Sequence, residues 1–142
     1  MKLSVLFTIT GVVSIVFGLG FVLMPGRLAS PYGLELDEAG LMVLRLLGPA
    51  FLGYGALNWF ARNTEESKAR QAIVLAQFVG NAIAFMVALA NQLSGVPNAV
   101  GWVGVVIHLL LALGYGYFEF MWRVPRNHLA SLKNAGDHSF RG

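Results

Sequence analysis

Five residues able to carry chemistry lie inside runs of apolar sequence: Arg45, Gln77, Asn81, His108 and Glu119. Polar groups in hydrocarbon are costly, so such residues normally face protein and mark the places to look for function. A guanidinium there can hold an anion, an imidazole can ligate a metal or pass a proton, and a carboxyl can exchange one. The two amides are suited to hydrogen bonds between helices. Their spacing is helical. Gln77, Asn81, Ala84, Ala88 and Asn91 form one stripe, and Gly101, Gly104, His108, Ala112, Tyr115, Glu119 and Trp122 form a second. Arg45, Gly48, Leu52, Gly55 and Trp59 form a third. The small residues Gly48, Gly55, Gly101 and Gly104 allow close backbone approach, so each stripe is expected to face a bundle interior that holds the five polar residues.

Each of these residues has a plain reading beside the chemical one. Arg45 can extend outward to Asp37 and Glu38, or anchor an anionic head group. Glu119 can hydrogen-bond Asn58 or pair with a basic residue further along, and a proton-relay role would need a water-filled path. His108 is either a hydrogen-bonded interior histidine or a cofactor ligand. Ser4, Thr8, Thr10 and Ser14 read as helix-packing hydroxyls. The chain has no cysteine, which removes disulfides, thiol chemistry and cysteine-held metal centres. No phosphate-binding glycine loop with lysine, no His-Glu-x-x-His and no nucleophile elbow occurs, so no catalytic residues are assigned.

The elements that must position these groups are four long apolar runs, at about 3–24, 40–60, 71–92 and 100–122. At ~1.5 Å per residue, each matches a hydrocarbon core of about 30 Å. Composition agrees: 56% of the 142 residues are hydrophobic and 12% charged, against about 25% charged in a soluble domain. The expected fold is all-α, an up-down-up-down bundle of four transmembrane helices over residues 1–123, followed by a cytoplasmic tail, 124–142. Lys2 before an apolar run invites a signal-peptide reading, but the run is too long and Met24-Pro25-Gly26 is a poor cleavage site. The sequence pI of about 9.6 does not indicate nucleic acid, because the basic residues collect on one side of the membrane, without a patch of aromatic readers.

Charge predicts the orientation. With the N-terminus inside, Lys2, Arg62, Lys68, Arg70, Arg123, Arg126, Lys133 and Arg141 are cytoplasmic, eight of the ten basic residues. The outer side then holds Arg27 with Glu35, Asp37 and Glu38. This places both termini in the cytoplasm and the chain in the inner (plasma) membrane. Asp37 is positioned to cap the second helix, and Pro49 to kink it. Trp59, Phe60, Phe118, Phe120 and Trp122 would form an inner aromatic belt, with Tyr32 and Trp102 on the outer side. Residues 52–62 align without gaps to 113–123, sharing Leu-Gly-Tyr-Gly and ending in aromatics and an arginine. A duplicated hairpin about an axis along the membrane normal would produce this, as would chance recurrence of a common membrane-helix string.

Two resemblances add to this reading. Gly104-Val105-Val106-Ile107-His108 resembles the small-x-x-x-His core of light-harvesting polypeptides, which implies pigment or haem ligation by His108. Gly18-Leu19-Gly20-Phe21-Val22-Leu23-Met24-Pro25, Tyr32-Gly33-Leu34, and Leu44-Arg45-Leu46-Leu47-Gly48 with Gly53 resemble the small DoxX-like membrane proteins. That resemblance implies a four-helix protein in which Arg45 and Gly48 belong to a helix contact. Three functions follow as expectations. The first is a non-catalytic accessory subunit in a larger membrane complex or homo-oligomer, organising lipid or cofactor. The others are a small membrane enzyme or transporter using Arg45, Asn81, His108 and Glu119, and a cofactor module centred on His108.

Overall fold

A computed structural model describes the backbone of residues 2–139 and the side chains of residues 2–121. Trp122, Arg123, Arg126, Lys133 and Arg141, which carry part of the belt and of the charge argument, lie outside the described side chains. The elements are α1 (Leu3–Leu23), a short α2 (Pro25–Ala29) running into a 3₁₀ turn (Ser30–Tyr32), α3 (Glu38–Ala61), α4 (Lys68–Leu93) and α5 (Gly101–Ser139). There is no strand among the described residues. Leu3–Leu23, Glu38–Ala61, Lys68–Leu93 and Gly101–Met121 are long and apolar enough to cross a membrane.

Helix boundaries follow capping chemistry rather than the limits of the apolar runs. Asp37 Oδ1 accepts the Gly40 N–H at 2.8 Å, so α3 begins at Glu38. Ser67 Oγ accepts the Arg70 N–H at 3.2 Å, so α4 begins at Lys68, before the apolar run opens. At the other end, α5 continues past the apolar run to Ser139. The end of an apolar run marks where lipid stops, not where helical hydrogen bonding must stop. Pro49 lies inside α3 without ending it.

The four spans pack as two antiparallel pairs, α1 with α3 and α4 with α5. The α1–α3 seam is built on glycine. A Cβ on Gly55 would sit 3.1 Å from the Gly11 carbonyl oxygen, and one on Gly48 would sit 2.9 Å from that of Gly18. Both helices thus place glycines seven residues apart in one antiparallel register, and the backbones meet directly. In the second pair, Gly116 receives the Phe78 ring, whose nearest atom is 3.1 Å from where a Cβ would be. Leu3, Leu6, Phe7, Ala61, Val74 and Tyr115 form the buried apolar cluster where the two pairs meet.

The connections after α1 and after α4 are stitched together. Asn98 donates its side-chain N–H to the Pro31 carbonyl at 2.9 Å and its backbone N–H to that of Tyr32 at 3.0 Å. Gly33, at φ +74°, turns the chain there, a left-handed conformation that favours glycine. The outward faces are apolar: Val16 is 62% exposed, Leu46 65%, Met86 68% and Leu110 62%, one from each spanning helix. Large apolar side chains left outside on every helix fit hydrocarbon as the surrounding medium.

Candidate functional site

Where the two helix pairs meet, a chain of polar side chains crosses all four spans. Tyr54 Oη on α3 donates to Gln77 Oε1 on α4. Gln77 Nε2 returns to α3, donating to Asn58 Oδ1 at 2.8 Å. The Tyr115 hydroxyl on α5 lies 3.2 Å from the same Asn58 oxygen and 2.9 Å from Thr10 Oγ1 on α1. One hydroxyl proton serves one of these contacts, and Thr10 donates when Asn58 is the acceptor. Asn81 Nδ2 donates to the Gln77 carbonyl at 2.8 Å and lies 3.4 Å from Tyr54 Oη. Its Oδ1 is 3.2 Å from His108 Nδ1.

The local reasons are visible in the sequence. Asn58 and Asn81 each donate to the carbonyl four residues back, Tyr54 and Gln77 respectively, which holds each amide against its own helix and aims its oxygen across. Thr10, Asn58, Gln77 and Asn81 are all buried. Each helix pair lends a tyrosine to the other: Tyr54 reaches from α3 to α4, and Tyr115 from α5 to α1.

The Asn81 amide is committed as a donor, so its oxygen must accept from His108. This fixes the imidazole as the Nδ1–H tautomer and leaves the Nε2 lone pair free of that contact. The chain of donors then runs in one direction, from His108 through Asn81, Tyr54 and Gln77 to Asn58. Seven residues of α5 separate His108 from Tyr115, about 10 Å along the axis. Three of its members are amides, which neither release nor take up protons readily, so the array suits cohesion better than proton transfer.

A family model described as a domain of unknown function, DUF8292, matches residues 1–123. The chain belongs to that family. No curated protein and no solved structure matches it.

In this DUF8292 member the five anticipated polar residues separate into two groups. Gln77, Asn81 and His108 join the network. Glu119 is buried one turn beyond Tyr115, at 2% exposure. Arg45 is not interior. It is exposed on α3, and Asp37 spends its carboxylate on the Gly40 N–H. The covered face of α3 explains this: it runs through the half-buried Leu41 and Leu44 to the buried Gly48, and Arg45, one residue round the helix from Leu44, turns away from it. Asn91 is likewise exposed near the end of α4. Among the packing glycines, Gly48 and Gly55 lie in the α1–α3 seam, and Gly101 packs against Gln92 at the end of α4 and Pro97 of the turn that follows. Nothing lies within 4 Å of where a Cβ on Gly104 would be, so no close approach requires a glycine there.

Thr10, Tyr54 and Asn58 are network members that the polar stripes did not assemble, and Gly11 and Gly18 complete the seam. Gly11 and Gly18 repeat the seven-residue spacing of Gly48 and Gly55, which was the available signal. Among the described residues, no three His, Cys, Asp or Glu come together as a metal site.

Proposed function

We propose that this chain is a non-catalytic integral membrane subunit that docks in a larger membrane assembly, with both termini in the cytoplasm. The observation that carries this reading is the contrast between interior and exterior. The interior polar groups are bonded to one another and knit the two helix pairs, whereas Arg45 stands exposed within an apolar span. No hydrogen bond or ion pair is present at Arg45 among the described residues. A charge costs about 2.5–3.5 kcal/mol at the centre of a membrane helix on insertion scales and less toward its ends, and an acidic group on a neighbouring protein would offset what Arg45 costs.

The test is purification from the native membrane in mild detergent. A stoichiometric second polypeptide, lost in Arg45→Ala while the 15.4 kDa chain stays folded, is the expected result. A particle containing this chain alone would sink the subunit reading. The orientation is checked separately, since the cysteine-free sequence permits clean single-cysteine labelling. Cysteine at Asn63 should react only from the cytoplasmic side and at Asn98 only from the opposite side; the reverse pattern inverts the topology.

One observation favours a second reading, a cofactor module. His108 has its Nδ1 held by Asn81, and Gly104, one turn earlier on the same face, leaves open space beside it. An imidazole so held would offer its Nε2 to the metal of a haem or pigment, which would supply the redox or light chemistry. The visible spectrum of the same preparation decides: absorption lost in His108→Ala supports it, and a colourless protein ends it.

A further inference from the structure

At the end of the bundle that carries the N-terminus, a groove of about 350 Å³ opens between α1 and the end of α3, away from the polar network. Ser4, Val5, Thr8, Ile9, Arg62 and Asn63 line it. Its residues sort by depth. Arg62 and Asn63 directly follow Ala61, the last residue of the α3 span, and Ser4 is in the first turn of α1. Val5 and Ile9, both exposed, continue the groove along α1 into the apolar zone. The cation, the hydroxyl and the amide therefore stand at the membrane boundary, with an apolar wall leading inward.

Arg62 is held rather than loose. Its guanidinium carbon lies 3.4 Å from the centroid of the Trp59 ring, one turn back on α3. Stacking on an aromatic face orients the guanidinium plane and leaves its edge N–H groups free to donate. Thr8 commits its hydroxyl proton to the Ser4 carbonyl at 2.8 Å and keeps its lone pairs. The Ser4 hydroxyl has no hydrogen-bond partner among the described residues and can donate into the groove. Among the described residues no carboxylate lines the groove, and Lys2, just before α1, adds a second positive charge at this end. Glu66 lines a different groove, with Arg70 and Phe118.

We propose that this groove binds the phosphodiester of an anionic phospholipid, with Arg62 and Ser4 on the phosphate and an acyl chain along Val5 and Ile9. Planar guanidinium donors match phosphate oxygens in pairs, and hydrogen bonds to a charged group are the stronger class. The site is independent of any docking at Arg45.

The experiment is native mass spectrometry of the detergent-purified chain titrated with phosphatidylglycerol, dioleoylglycerol or inorganic phosphate. One phosphatidylglycerol per chain is expected, held at least about tenfold more tightly than dioleoylglycerol, which has the acyl chains without the phosphate. Arg62→Gln should remove that preference, and Arg45→Gln should leave it intact. Equal retention by wild type and Arg62→Gln, or equal loss in both arginine variants, overturns the site. Displacement of phosphatidylglycerol by inorganic phosphate at equal concentration would assign the groove to a free anion and overturn the lipid. Should Arg62→Gln not fold, Ser4→Val decides: it removes the hydroxyl donor and should weaken binding about threefold, and unchanged binding in it overturns the proposal.

Discussion

Asn58 Oδ1 accepts from Gln77 of α4 and lies within hydrogen-bond reach of the Tyr115 hydroxyl of α5, which makes it the junction of the network. Hydrogen bonds between membrane helices are individually modest, averaging about 0.6 kcal/mol and reaching about 1.7. Losing one partner therefore matters less than stranding several. Tyr115→Phe removes one hydroxyl and should cost about 1 kcal/mol. Gln77→Leu leaves both the Tyr54 hydroxyl and the Asn58 oxygen short of a partner, and should cost about 2–3 kcal/mol. Reversible unfolding in mixed micelles measures both; a Gln77→Leu loss no larger than that of Tyr115→Phe would show that the network is not cooperative. Gln77, Asn81 and His108 were legible in the sequence because an amide or imidazole stands out in an apolar run. Thr10 and Tyr54 were not, since a hydroxyl is ordinary in a membrane helix and only the tertiary arrangement shows which one finds a partner. Arg45 failed for a different reason: spacings of three and four fix a helix face only to within a residue, and the covered face of α3 passes through Leu41, Leu44 and Gly48.

At the scale of elements, the glycines divide by what they face. Gly11, Gly18, Gly48 and Gly55 bring α1 and α3 into backbone contact, whereas Gly53, Gly80 and Gly104 face open space. Gly48→Val and Gly55→Val should each destabilise the bundle by about 1–3 kcal/mol, since the added atoms meet not only the Val22 and Ile15 side chains but also backbone atoms of α1 that cannot swing aside. Gly53→Ala, Gly80→Ala and Gly104→Ala should be neutral, or stabilising by up to about 1 kcal/mol through helix propensity. Thermal unfolding in detergent separates the two sets, and similar losses in both would refute the seam. A pair of glycines seven residues apart on each of two helices was readable in advance. Gly104 shows the limit of that reading, for a small residue permits an approach without supplying the neighbour that makes it.

At the scale of the whole molecule, the bundle is two antiparallel pairs, and their correspondence extends the aligned strings of residues 52–62 and 113–123. Tyr54 and Tyr115 hold matching positions and reach into opposite pairs; Asn58 and Glu119, the next match, are both buried. The partner helices correspond as well. Phe7, Thr10 and Ser14 on α1 and Val74, Gln77 and Asn81 on α4 are buried at the same spacing, although their side chains share little chemistry. A spacing of three and four needs a position rather than a residue type, and any packed helix face can produce it, so the shared burial of α1 and α4 is visible in the structure and not in the sequence. The four spans were legible because hydrocarbon requires long apolar helices, whereas their pairing depends on contacts that hydropathy does not encode. The exposed link at residues 62–67 also has a consequence for biogenesis. Each half brings its own seam, so the two halves should survive as separate polypeptides. Fragments 1–64 and 65–142, co-expressed from separate messages, should insert independently and co-purify as a heterodimer. Adding Gln77→Leu should leave both in the membrane but abolish their co-purification. Loss of either fragment expressed alone, to proteolysis before it meets its mate, would mean that the covalent link is needed to build the bundle.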